Sequence, residues 1–195
     1  MLAEISDETL MTRYGEGDLD AFKELYRRHS QGLYRFIAWH APVEDWAAEV
    51  AQDAWASLHK ASDRYEPSAG FRTYLYQIAR NRLIDLMRQH RPALESELGD
   101  CDGPVLEHLD AQTRTAESPE SQVEARQQND RLHAAIRSLP QEQKEALVLQ
   151  QFSGMSLEDI AAVTGAAVET VKSRLRYAMQ KLRAELAPSM AEAQR

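Results

Sequence analysis

Residues 156–183 read SLEDIAAVTGAAVETVKSRLRYAMQKLR. Their spacing fits two helices crossing at a tight turn and little else. Ser156 is placed to cap the first helix, with Asp159 three residues on in the role of the Glu of a capping box. Ile160 and Ala161 face the partner helix, and the small Ala161 allows a close crossing. Gly165 lacks a Cβ, so the chain can turn there with positive φ. Val168, Val171 and Leu175 then pin the second helix onto the first. That leaves Glu169, Thr170, Lys172, Ser173, Arg174 and Arg176 facing outward. An exposed helix N-terminal half rich in donors is the shape and chemistry that enters the major groove of duplex DNA.

A net charge of −8 opposes such a partner unless it is localised. Residues 1–92 hold 12 basic and 14 acidic side chains, a balance of −2. Residues 93–125 hold Arg114 against nine acids, a balance of −8, and residues 126–195 hold 10 basic and 8 acidic groups, a balance of +2. The acidity sits in one segment, and local faces set the field that DNA meets.

Other classes are excluded in turn. The single cysteine, Cys101, rules out an internal disulfide framework and a Cys-based zinc site. The six histidines have no metal-ligand spacing. YGEGD at 14–18 has no strand before it and no third glycine, so it is no nucleotide loop. The residues therefore predict no metal, no cofactor and no enzymatic activity. MLAEISDETLMTRYG is polar and acidic, without the apolar core of a signal peptide. No apolar run approaches the ~18–20 residues of a membrane span. A soluble cytoplasmic protein without membrane insertion is expected.

Helical periodicity dominates the rest of the chain. Asp18 is placed to cap a helix with Phe22, Leu25, Tyr26, His29, Leu33 and Phe36 on one face. A helix from about Val43 to Lys60 turns Trp46, Val50, Ala54 and Leu58 inward, and one from about Phe71 to His90 turns Phe71, Leu75, Ile78, Ala79 and Leu86 inward. Pro92 should end that helix. Residues 93–120, with Gly99, Gly103, Pro104 and Pro119 among acids, read as an extended tether. Helical pattern resumes near Ser121, with Leu132, Ala135, Ile136 and Leu139 on one helix. Pro140 begins the next, and Gly154 ends it. The predicted architecture is all-α, with two small helical domains (1–92 and 121–187) joined by a flexible acidic linker (93–120) and followed by a tail (188–195).

A second constellation lies between residues 65 and 88. Tyr65, Phe71, Tyr74 and Tyr76 gather there with Arg72, Arg80, Arg82 and Arg88. At 100° per residue, Thr73, Gln77, Arg80, Asn81 and Arg88 share the face opposite Leu75 and Ile78. Aromatic rings beside a cationic helix suit unstacked bases, each ring offering about 1–3 kcal/mol per base while arginines follow the phosphates. Asn81 carries a donor and an acceptor, so it can read the edge of a flipped base. For Phe71 the alternative is a plain core position.

These stretches resemble one known family. FRTYLYQIARNRLIDLMRQHR, with GDLDAFKELYRRH before it and LPQEQKEALVLQQFSGMSLEDIAAVTGAAVETVKSRL after it, is similar to the extracytoplasmic-function sigma factors of bacterial RNA polymerase. The resemblance spans nearly the whole chain except the linker and the last residues. It implies a promoter-recognition subunit. The first domain would bind the polymerase clamp and melt the minus-ten element, with Tyr65 and Asn81 matching residues that line the pocket for a flipped base. Glu49, Gln52 and Asp53 match the helix that docks on the clamp. Glu49 and Asp53, at i and i+4, share a face that would otherwise be a solvated acidic one. The last domain would read the minus-thirty-five element through Lys172, Ser173, Arg174 and Arg176. Core polymerase, promoter DNA and an anti-sigma factor are the partners implied, and the linker would match the connector that threads the polymerase channels.

The chain departs from the family pattern in places. Tyr74 stands where Trp is usual, Thr164 where an apolar residue is usual, and Tyr177 and Met179 where an Arg pair is usual. Trp46 and Ala48 interrupt the acidic pattern before Glu49. The competing class is a helix-turn-helix regulator that acts without core polymerase. It would leave the Tyr65–Arg88 constellation unexplained.

Overall fold

The computed structural model describes residues 2–43, 45–65, 70–97 and 119–192. Among them the regular structure is helical throughout: α1 (Asp7–Gly15), α2 (Leu19–His40), α3 (Asp45–Ala61), α4 (Phe71–Glu97), α5 (Pro119–Arg137), α6 (Gln141–Ser153), α7 (Leu157–Thr164) and α8 (Val168–Glu192). The all-α expectation holds. Most of the predicted tether, residues 98–118, lies outside the described residues.

Local chemistry sets several helix starts. Ser6 accepts a hydrogen bond from the Thr9 amide and starts α1. The Asp18 carboxylate accepts from the Asp20 and Ala21 amides at the start of α2 and holds Arg13 at 2.5 Å, closing the α1–α2 corner. YGEGD is thus a corner between helices. The first amide of α4, that of Phe71, donates to Glu8 Oε1 at 3.0 Å, so α1 supplies a cap for a helix more than sixty residues away in sequence.

The first module packs α1 to α4 around Leu10, Met11, Leu25, Leu33, Phe36, Val50, Leu58, Phe71 and Leu75, all fully buried or nearly so. Each such side chain contributes roughly 1.5–3 kcal/mol by leaving water. The second packs α5 to α8 around Ile136, Leu139, Leu149, Ile160, Val171, Leu175 and Leu182. The two modules touch. Phe36 to Ala41, at the end of α2, are buried in an unbroken run, because module two covers the flank that module one leaves open. There Trp39 meets His133 edge-on at 5.2 Å and Phe152 at 6.0 Å.

Some expectations change. Tyr26, placed inward by periodicity, is 49% exposed and leans on Trp55 with ring centroids 5.0 Å apart. Trp46 is half-buried against His90. Pro92 does not end α4, which runs to Glu97, and α8 runs past Pro188 to Glu192. A proline removes one backbone donor, and each of these lies in the closing stretch of its helix. The acidic N-terminus hides α1, whose Leu10 and Met11 enter the core.

Candidate nucleic-acid interface

The helix-turn-helix is built as its spacing predicts. Ser156 accepts from the Asp159 amide at 3.1 Å while Asp159 Oδ2 accepts from the Ser156 amide at 3.3 Å, a reciprocal cap. α7 closes at Gly165 with φ 67°, and Ala166 N–H reaches back to the Ala161 carbonyl at 3.1 Å. That left-handed geometry is one a Cβ would strain. The Thr164 hydroxyl donates to the Ile160 carbonyl at 2.7 Å. Ile160, Val171, Leu175 and Ala178 are buried, which fixes how α8 is turned about its axis.

α8 therefore presents Glu169, Thr170, Lys172 and Arg176 to solvent, with Ser173 and Arg174 at the margin. Lys172 donates to Glu169 at 2.6 Å, one turn back on the same face. Its ammonium is held above the ordinary value by that hydrogen bond and that charge. Arg174 is largely covered, its side chain 20% exposed, and pairs with Glu142 of α6 at 2.9 Å. Arg176 lies over the Tyr177 ring, 4.9 Å from its centre, and Tyr177 and Met179 are themselves exposed. Cationic groups survive at this end of α8 even where the family pattern has a further Arg pair.

On α4 the predicted face divides in two. Tyr74, Asn81 and Arg88 lie seven residues apart and so share a stripe. Asn81 and Arg88 are exposed, Tyr74 is half-exposed, and Tyr65 sits beside Tyr74 at 5.7 Å. The Tyr65 hydroxyl is buried without a hydrogen-bond partner among the described residues. Burial, with the charge of Glu8 next, pushes its pKa up to about 12. Arg88 rests on Asp85 at 2.9 Å. The neighbouring stripe is covered by module two: Thr73 is 2% exposed and donates to Asp159 at 2.9 Å, and Arg80 donates to Glu145 at 2.7 Å. Thr73, Gln77 and Arg80 thus do not share an open face with Asn81. Burial alone would raise the Asp159 carboxyl, but hydrogen bonds from Ser156 and Thr73 outweigh it and lower its pKa.

Phe71 corrects another expectation. It is fully buried, 5.3 Å from the His29 ring, so it belongs to the core and offers no platform to a base. Arg82, gathered by the sequence with the other arginines of α4, reaches α3: its Nε donates to Asp53 at 2.5 Å and its Nη2 to Glu49 at 3.5 Å. Gln52 is exposed on the same helix. The acids of α3 keep an open side, since Glu49 and Asp53 are 51% and 40% exposed.

The sequence reading did not foresee the contact between modules. Its signal was present in FIAW at 36–39, four residues with no polar position for solvent. A helix with a single buried face would interrupt such a run. Among the described residues no group of His, Cys, Asp and Glu is arranged to hold a metal, and no helix is long and apolar enough to cross a membrane.

The chain matches known proteins along its length. A family model described as Sigma-70 region 2 matches residues 25–92, and one described as Sigma-70, region 4 matches residues 129–182. The chain is 30% identical over 99% of its length to the RNA polymerase sigma-H factor of Pseudomonas aeruginosa, covering all of that protein. It is 32% identical to the ECF RNA polymerase sigma factor RpoE of Cereibacter sphaeroides, over 85% of this chain and 86% of that one. Among solved structures, the sigma factor RpoE in complex with the anti-sigma factor NepR from Bartonella quintana aligns with TM-score 0.68 and 26% identity, over 85% of this chain and 96% of that one. Two sigma-70 regions in order, one on each module, with relatives at 30% and 32% identity over most of the chain, make this chain a member of the extracytoplasmic-function sigma factors of bacterial RNA polymerase.

Proposed function

We propose that the chain directs core polymerase to its promoters with two separate grips, divided as residues 1–92 and 121–187. In this reading α8 enters the major groove at the minus-thirty-five element. Arg174 or Arg176 reaches guanine O6 and N7, and Lys172 neutralises a phosphate. The Tyr65–Tyr74 pair and Asn81 receive bases of the minus-ten element as they leave the stack, with Arg88 and Arg80 on the backbone. Trapping those bases offsets an unstacking cost of a few kcal/mol. Glu49, Gln52 and Asp53 dock on the polymerase, and the chemistry of RNA synthesis belongs to the polymerase. The protein works in the cytoplasm and is held by an anti-sigma factor, as a complex of the relative with NepR suggests.

The observation that carries this reading is Asn81. It is exposed on α4, two turns along one stripe from Tyr74, so an amide able to pair with a base edge shares a face with a ring on which a base can stack. Run-off transcription with purified core polymerase over a genomic DNA pool tests the activity and yields the promoter. On that promoter, Asn81→Ala should reduce permanganate reactivity of the opened strands while leaving holoenzyme binding to the upstream duplex nearly intact. Equal loss of both would sink the division of labour.

A further inference from the structure

Tyr177 stands on α8 as a ring 51% open to solvent, on a face otherwise made of cations, a carboxylate and short polar side chains. At 100° per residue it falls on the stripe of Thr170, Ser173 and Arg174. The core of module two is built without it: Val171, Leu175, Ala178 and Leu182 are the buried positions that seat α8. An aromatic side chain that the fold does not use, on a helix that reads DNA, calls for another role.

The neighbouring residue supplies one. The Arg176 guanidinium lies over the ring, 4.9 Å from its centre, and Arg176 Nη2 donates to the Tyr177 hydroxyl at 3.3 Å. The long side chain is thus held at two points. A free arginine samples many rotamers, and ordering it on a partner loses that entropy. Here the ring supports the guanidinium, while most of its five N–H donors stay available in their plane. The other cations of this helix are held differently. Lys172 is drawn to Glu169 at 2.6 Å and Arg174 to Glu142 at 2.9 Å, so each must leave a carboxylate before it meets DNA. The support under Arg176 is uncharged, so it adds no repulsion toward phosphate.

We infer that Tyr177 is a positioning residue for Arg176: its ring holds the guanidinium ready for one base edge of the minus-thirty-five element, and so sets sequence preference more than overall affinity. This assignment rests on the reading of α8 as the groove-entering helix. A planar fork held in place meets guanine O6 and N7 together, whereas a swinging one also reaches phosphates, which carry no sequence. A cation at position 177 would strengthen binding to every sequence alike by neutralising a phosphate. The ring gives up that general grip in favour of a braced reader.

The test uses holoenzyme and the promoter obtained by run-off transcription, with its minus-thirty-five positions randomised and the bound molecules sequenced at several salt concentrations. Circular dichroism checks that each variant is folded. Tyr177→Ala should relax preference at one base pair about tenfold, while the slope of log affinity against log salt stays that of the parent. Arg176→Ala should relax the same base pair, and Tyr177→Ala added to it should change nothing more. Tyr177→Phe keeps the ring and should keep most of the preference. Tyr177→Arg should bind all sequences more tightly at low salt, with a slope steeper by about one and the preference at that base pair reduced. Unchanged preference in Tyr177→Ala overturns the inference, and so does an equal loss of affinity across the whole library. Relaxation at a base pair that Arg176→Ala leaves alone also overturns it, as does a further loss in the Arg176→Ala background, because the ring would then meet DNA itself. Failure of the α8 reading shows separately, as normal binding to the upstream duplex when Lys172, Arg174 and Arg176 are all replaced by alanine.

Discussion

α4 and α8 are the two helices to which the proposed function assigns DNA, and they are held in opposite ways. α4 is engaged on nearly every side: its apolar stripe lies on α2 and α3, Arg82 ties it to α3, and Arg72 to Arg80 tie it to module two. α8 is buried along one stripe only, through Val171, Leu175, Ala178 and Leu182, and keeps Thr170, Lys172 and Arg176 in solvent. A duplex reader needs a preformed, open helix because the groove is there before binding. A strand-melting helix meets its ligand only after the duplex has opened, so its donors can be engaged elsewhere until then. On the proposed function, the contrast teaches that the two grips would act in sequence, the open one first.

The largest expected effect falls on the way α4 is seated. Phe71 is fully buried at its first turn, under the Glu8 cap and against His29. Phe71→Ala should cost about 3–5 kcal/mol of stability, read by urea denaturation, while Phe71→Leu should cost far less and keep single-strand binding. Full stability in Phe71→Ala would show that α4 is not anchored there, and the contrast with α8 would fail.

Next comes the contact between the modules. Burial, with the charges of Lys144 and Arg80 acting the same way, lowers the His40 pKa from 6.5 to about 4, against a hydrogen bond with the Phe36 carbonyl. The unfolded chain therefore takes up the proton first as pH falls. The stability linked to His40 is fully present above about 6.5 and is lost progressively down to about 4. At about 1.4 kcal/mol per unit the loss reaches up to about 3 kcal/mol. His40→Phe should flatten that part of the profile when denaturation midpoints are compared between pH 7 and 4.5. An unchanged slope would place the proton uptake elsewhere.

On α8 the sharpest probe is Arg174. Its removal should weaken holoenzyme binding to the selected promoter by about 1–3 kcal/mol, and lysine should not restore it, because a point charge cannot make the bidentate contact. Glu142→Gln should leave promoter binding intact or slightly stronger, since it only releases Arg174 from its 2.9 Å partner. If Arg174→Ala changed neither affinity nor promoter preference, the groove assignment would be wrong and Arg174 would serve to join α6 to α8.

What was legible in the sequence follows the range of the interactions involved. The Ser156 cap, the Gly165 turn and the outward set on α8 depend on neighbours within one or two turns, and spacing alone located them. Asp18 and the Pro140–Gly154 limits of α6 are of the same kind. The capture of Thr73 and Arg80 by Asp159 and Glu145 links residues 86 and 65 positions apart, and no periodicity reports that. Phe71 was ambiguous for a related reason: an aromatic ring at the start of a helix serves a core and a binding surface equally well until a partner such as His29 is in place. α1 was hidden because polar positions outnumber its three core residues, Leu10, Met11 and Tyr14.

The smallest effect concerns Arg82, and it separates the two faces of α4 most finely. Arg82 pairs with Asp53 and Glu49 at the module surface, with all three side chains at least a third exposed. Exposed pairs of this kind contribute about 0–1 kcal/mol, so Arg82→Ala should hardly move the denaturation midpoint. Its consequence lies in polymerase binding. The same two acids belong to the proposed clamp contact, and Arg82 neutralises them in the free chain. Removing it leaves Glu49 and Asp53 to any basic partner, so affinity for core polymerase should rise slightly at low salt and converge with the parent at high salt. A loss of core binding would mean instead that Arg82 positions the acids, and α3 would then be as dependent on α4 as α4 is on module two.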